Sequence, residues 1–171
     1  DMSLKIFIDK YRNQFKAMAS DYDQPFDLSK DEPIEFIDKD HVKLTFANIA
    51  DTHLIDNESA TINLGNFFQD ISNAKGKFDA VLIAGDLSEY GKTAEYNRFF
   101  NVFDQYKEKF KLFVTMGNHD VRFLFPRNQK IIMDKVNEYL GIDTKGKSYY
   151  SYDVNGYTFI VIGTEKRVLE K

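Results

Sequence analysis

Val81-Leu-Ile-Ala-Gly-Asp-Leu-Ser-Glu-Tyr-Gly91 is the stretch whose reading decides the fold. Its first four residues are wholly apolar, and the run stops at Gly85 and Asp86. A strand this apolar is buried on both faces, as in a parallel sheet covered by helices. A carboxylate at its end is costly unless something there needs the charge. In open α/β sheets that is where ligands bind, outside the carboxyl ends of the strands. Two more apolar runs end the same way. Val42 to Ala50 leads into Asp51-Thr52-His53, and Lys111 to Met116 leads into Gly117-Asn118-His119-Asp120. From His53 to Asp86 is 33 positions (86 − 53), and from Asp86 to His119 is again 33 (119 − 86). That is the length of a strand, a crossover helix and a return loop. The three polar clusters are therefore expected to meet at one edge of a sheet.

The composition narrows the classes. A chain of 171 residues with 43% hydrophobic residues fills one domain of ordinary size, and 16 Phe with 10 Tyr make its core aromatic. A formal charge of −4 and a pI near 5.4 give no sign of a nucleic-acid-coating surface. With no cysteine, disulfide and thiolate chemistry are excluded. No run approaches the roughly 18 apolar residues of a membrane span, and the compartment is left open.

Taken in order, residues 3–18 show helical spacing of Leu4, Phe7, Ile8, Tyr11, Phe15 and Met18. An acidic, proline-interrupted linker follows, then a short edge strand near Pro33, and His41 sits at the wrong end of the next strand to act. Ile62, Leu64, Phe67, Phe68 and Ile71 mark a helix closed by Gly76. Thr93 caps a second helix whose Tyr96, Phe99, Phe100, Phe103, Tyr106 and Phe110 share a side. That aromatic side reads as core packing rather than as a surface for stacking bases. Pro126 starts a third helix, ended by Gly141. Asn155-Gly156 then joins two strands, 148–154 and 157–162, as a hairpin.

Asp51, His53, Asp86, Asn118 and His119 are oxygen and nitrogen donors without sulfur, a set suited to Mn, Fe or Zn. A carboxylate on the middle strand, between two neighbouring clusters, is placed to bridge two cations. Two cations about 3.5–4 Å apart can hold a hydroxide between them and clamp a phosphoryl group. Taken singly, each of these residues caps a helix or satisfies a loop as readily as it binds a metal. At three successive strand ends the metal reading prevails.

Asp51-x-His53, Gly85-Asp86-(x)4-Gly91 and Gly117-Asn118-His119-Asp120 resemble the first three blocks of the calcineurin-like metallophosphoesterase superfamily, over about residues 41 to 165. The resemblance implies an α/β fold, a metallophosphoesterase-type β-sandwich flanked by helices, represented here by its first half. On that division residues 1–40 are a helical extension and linker, and 41–171 are the N-terminal half of the phosphoesterase domain. It implies two divalent metal ions, with Asp51 and His53 on the first, Asp86 bridging, and Asn118 on the second through its amide oxygen. It implies His119 over the phosphate as charge stabiliser and proton donor, Asp120 orienting His119, and Asn118, His119 and Arg122 facing substrate. An Arg soon after the third block is similar to members that cleave small phosphodiesters, which sets diesters slightly ahead of monoesters. Family members supply further histidines from later blocks, whereas none of the three here follows His119. The expectation is a phosphate-ester hydrolase whose remaining ligands come from a C-terminal half in the same or another chain, so that these 171 residues alone are inactive. The rival is a non-catalytic binding or assembly module that keeps the fold.

Overall fold

A computed structural model describes residues 42–55, 57–74, 77–122 and 125–163. The helix at 3–18, the linker, the edge strand near Pro33, His41 and Gly76 lie outside the described residues. The elements run β1 (Phe46–Ile49), α1 (Glu58–Asn73), β2 (Ala80–Ala84), α2 (Thr93–Phe103), β3 (Lys111–Thr115), a short α3 (Asn118–Arg122), α4 (Phe125–Leu140), β4 (Tyr150–Val154) and β5 (Tyr157–Val161).

β1, β2 and β3 lie side by side in that order, all parallel. Ile49 pairs with Ile83, which pairs with Val114, so the three carboxyl ends are level. This is the arrangement that the repeated spacing predicts. Val81, Leu112 and Val114 are fully buried. The helices pack on one another and on β3 around an aromatic core. In it Phe68 meets Phe103 at 5.5 Å, Phe99 meets Phe100 at 5.4 Å, and Phe103 meets Tyr139 at 4.9 Å. Tyr96, Phe99, Phe100 and Phe103 are all buried, so the aromatic side of α2 belongs to the core.

Local chemistry sets the helix boundaries. The Asn57 side chain accepts from the N–H of Ala60 at 3.0 Å and so caps α1. Thr93 is not the cap of α2 but its first helical residue, with Lys92 in the cap position. The reason is Glu95, whose buried carboxylate accepts from the N–H groups of Tyr90 (3.0 Å) and Lys92 (3.1 Å). It thereby supplies the reciprocal half of a capping box, reaching back from the third helical residue to the N–H of the cap residue.

Beyond α4 the chain forms an antiparallel hairpin in which Val154 pairs with Tyr157. Asn155 (φ 51°) and Gly156 (φ 83°) both take positive φ, as a type I′ turn requires. Phe159 stacks on Phe113 at 4.5 Å and meets Phe46 edge-on at 5.7 Å, closing the sandwich on the face opposite that of Leu112 and Val114. The Tyr150 hydroxyl accepts from the Val114 N–H (2.9 Å) and donates to its carbonyl (3.2 Å), satisfying the free edge of β3. Burial there pushes its pKa up to about 12. Among the described residues, no helix is long and apolar enough to cross a membrane.

Candidate functional site

The level strand ends carry the polar clusters, and their loops are stitched by main-chain bonds. Asp51 N–H donates to Gly85 O (3.1 Å), His53 N–H to Asp86 O (2.9 Å), and Leu54 N–H to Leu87 O (2.9 Å). His119 N–H donates to Asp86 Oδ1 at 2.8 Å. Asp51, His53 and Asp86 all adopt positive φ, at 55°, 40° and 50°. For residues with a Cβ this conformation is sparsely populated and costs about 1–3 kcal/mol each, and such strain gathers at functional sites. Glycine is obligatory where the loops cross. A Cβ on Gly117 would lie 2.0 Å from Asp86 Oδ1, and one on Gly85 2.9 Å from Gly117 Cα.

Asp51, His53 and Asp86 offer ligand atoms that all lie within 4.8 Å of one another. His53 Nε2 is 3.6 Å from Asp51 Oδ1 and 3.7 Å from Asp86 Oδ2. Bonds of about 2.0–2.2 Å to one tetrahedral ion would set such donors about 3.4 Å apart. The three side chains fit a divalent metal with only small movement. The His53 ring is also in the right state. Its Nδ1 is 2.6 Å from Glu89 Oε2, a contact in which Nδ1 donates to the carboxylate and Nε2 is the nitrogen turned toward Asp51 and Asp86.

His119 stands edge-on to His53, with ring centroids 4.5 Å apart. Its Nδ1 donates to the Glu89 carbonyl at 2.7 Å, which leaves Nε2 uncommitted in that bond. The bond to that carbonyl raises the pKa of His119, desolvation lowers it, the negative charges of Asp86 and Glu89 raise it, and the charge of Arg122 lowers it. Arg122 is exposed at the end of α3, and Asn118 opens the same helix with an exposed side chain.

Asp120 has another place from the one its sequence neighbour suggests. Instead of turning to the His119 ring, its buried carboxylate accepts from Leu87 N–H (3.2 Å), Gly117 N–H (3.0 Å), Tyr96 Oη (3.0 Å), and the N–H and hydroxyl of Ser88 (3.4 and 3.2 Å). The nitrogen it would have oriented is held by the Glu89 carbonyl. Desolvation raises the Asp120 pKa, and the bonds from Gly117, Leu87, Tyr96 and Ser88 pull against it. Desolvation, with the charge of Asp120 next, raises that of Tyr96. Asp120 thus locks the β2–α2 loop to the β3–α3 loop.

Glu89 is the residue that sequence reasoning passed over. It lies among the four unassigned positions of the quoted stretch, and its one signal was a carboxylate three residues past Asp86.

A level parallel sheet with an oxygen–nitrogen donor cluster at its carboxyl edge defines an α/β domain built around a metal-type site. The calcineurin-like phosphoesterase family matches residues 44–170, most of the chain, and the chain belongs to that family. Among curated proteins, none matches it.

Proposed function

We propose that this chain carries half of a dinuclear metal centre for the hydrolysis of phosphate esters. The observation that carries the reading is the convergence of Asp51, His53 and Asp86 at the strand ends, with His119 against His53. Asp51, His53 and Asp86 hold the first divalent ion (Mn, Fe or Zn), and Asp86 with Asn118 contributes to a second. When bound, the two ions supply positive charge to the phosphoryl oxygens and activate water for attack.

The chain's own residues do the rest. His119, anchored through Nδ1, presents Nε2 to the leaving oxygen and protonates it as the ester bond breaks. Arg122 adds one positive charge close to His119, which suits the single negative charge of a diester better than the double charge of a monoester. Asp120 serves by fixing the loops that aim Asp86 and His119. The domain spans 41–171 with 1–40 as an extension.

The test is metal analysis of the intact protein, followed by turnover on aryl phosphate mono- and diesters. Two bound metals per chain, with faster turnover of the diester, are expected. Full metal loading without turnover on either ester would instead favour a binding or assembly role.

A further inference from the structure

We propose that Glu89 is the positioning residue of this site, its carboxylate fixing His53 and its main-chain carbonyl fixing His119, so that one residue sets which nitrogen each ring offers. The inference rests on the functional reading above only for what those nitrogens then do.

The geometry is specific. Glu89 follows the tight turn after β2, and its own N–H donates to Leu54 O at 3.1 Å, tying it to the residue next to His53. The same loop is pinned by Tyr90 N–H to Glu95 (3.0 Å) and Gly91 N–H to Ser88 Oγ (3.2 Å). From this fixed backbone the side chain reaches His53 Nδ1 at 2.6 Å, and the carbonyl accepts from His119 Nδ1 at 2.7 Å. A carboxylate behind a metal-binding imidazole fixes its tautomer and raises its basicity.

A rival role for Glu89 is direct ligation, since His53, Glu89 and His119 also offer ligand atoms within 4.8 Å. The 2.6 Å separation argues against it. Two donors on one ion with bonds of about 2.0–2.2 Å are held about 3 Å or more apart, whereas 2.6 Å is a charge-assisted hydrogen bond. Because the two histidines are held by different atoms, side-chain replacement should separate them. Glu89→Ala removes the grip on His53 and leaves the carbonyl that grips His119.

The experiment is ¹⁵N NMR of the imidazoles in the metal-free intact protein, followed through a pH series so that each ring's neutral form is read directly, with Mn²⁺ titration by calorimetry. In Glu89→Ala, His53 should lose its fixed Nδ1–H tautomer while His119 keeps its own. Mn²⁺ affinity should fall about 10–100-fold, with Glu89→Gln falling less because its amide oxygen still accepts. An unchanged His53 tautomer in Glu89→Ala would overturn the proposal, as would loss of a whole Mn²⁺ equivalent without a tautomer change, which would make Glu89 a ligand. If Glu89→Ala does not fold, Glu89→Gln decides. Weaker Mn²⁺ binding at unchanged Tm together with a changed His53 tautomer population supports the proposal, and an unchanged tautomer or unchanged binding refutes it. Neither readout requires ester turnover. An inactive wild type therefore leaves this test intact, and an active enzyme indifferent to Glu89 would overturn this inference alone.

Discussion

The two ends of the sandwich are built on opposite terms. At the carboxyl edge of β1–β3, polar groups are pinned, three residues hold positive φ, and loops from separate strands share hydrogen bonds. On the outer face of the hairpin the backbone is regular, but Ile160 and Ile162 are 72% and 81% exposed. The first region accepts strain to place a few atoms. The second presents apolar side chains with nothing among the described residues to cover them. The first region is thus marked by costly backbone, and the second by costly surface.

The contrast can be broken by mutation, beginning where the largest effects are expected. Asp86→Asn should remove most metal content and turnover from the intact protein, because an amide cannot carry the charge that two cations need. Wild-type metal content in that variant, read by elemental analysis, would refute the bridging role. His119→Ala should leave metal content nearly unchanged while slowing turnover on the order of 10²–10⁴-fold. The loss should be smaller for esters with activated leaving groups, as compared by steady-state kinetics on aryl and alkyl esters. Away from the site, Phe103→Ala should cost about 3–5 kcal/mol in denaturant unfolding, since its ring is wholly buried among Phe68 and Tyr139. Asp120→Asn should cost about 1–3 kcal/mol, because either orientation of its amide would turn a donor toward at least one backbone N–H, of Ser88 or of Leu87 and Gly117. Ile160→Thr, on the exposed face, should change the same unfolding free energy by less than about 0.5 kcal/mol. A larger loss there would mean that the face is covered in the intact protein.

Much of this was legible in the chain. Val81–Ala84 reads as a strand from its apolar run, though only the face of Val81 and Ile83 is fully buried while Leu82 is half-buried and Ala84 exposed. The even spacing of His53, Asp86 and His119 fixes neighbouring parallel strands. Asn155-Gly156 fixes the hairpin because few other pairs tolerate two positive φ values. The missed features depend on three-dimensional reach. Glu95 reaching back to the cap residue of α2, Asp120 bound to another loop, and Glu89 between two histidines are carboxylates whose partners are set by side-chain direction. The distance along the sequence says nothing of that. The five-residue α3 carried too little periodicity to be read at all.

The Asp120 carboxylate draws its donors from segments 24 to 33 residues away as well as from Gly117 nearby. Such a knot cannot form piecemeal, since β2, α2 and β3 must all be docked before its donors converge. The amide protons of Leu87 and Gly117 should therefore be released to solvent together, in the same opening that separates β2 from β3. In native-state hydrogen exchange they would share one free energy of opening, close to that of global unfolding, while amides of the exposed hairpin exchange through smaller local events. Asp86 and His119, carried on the loops that this knot joins, would then be brought into register by the same event.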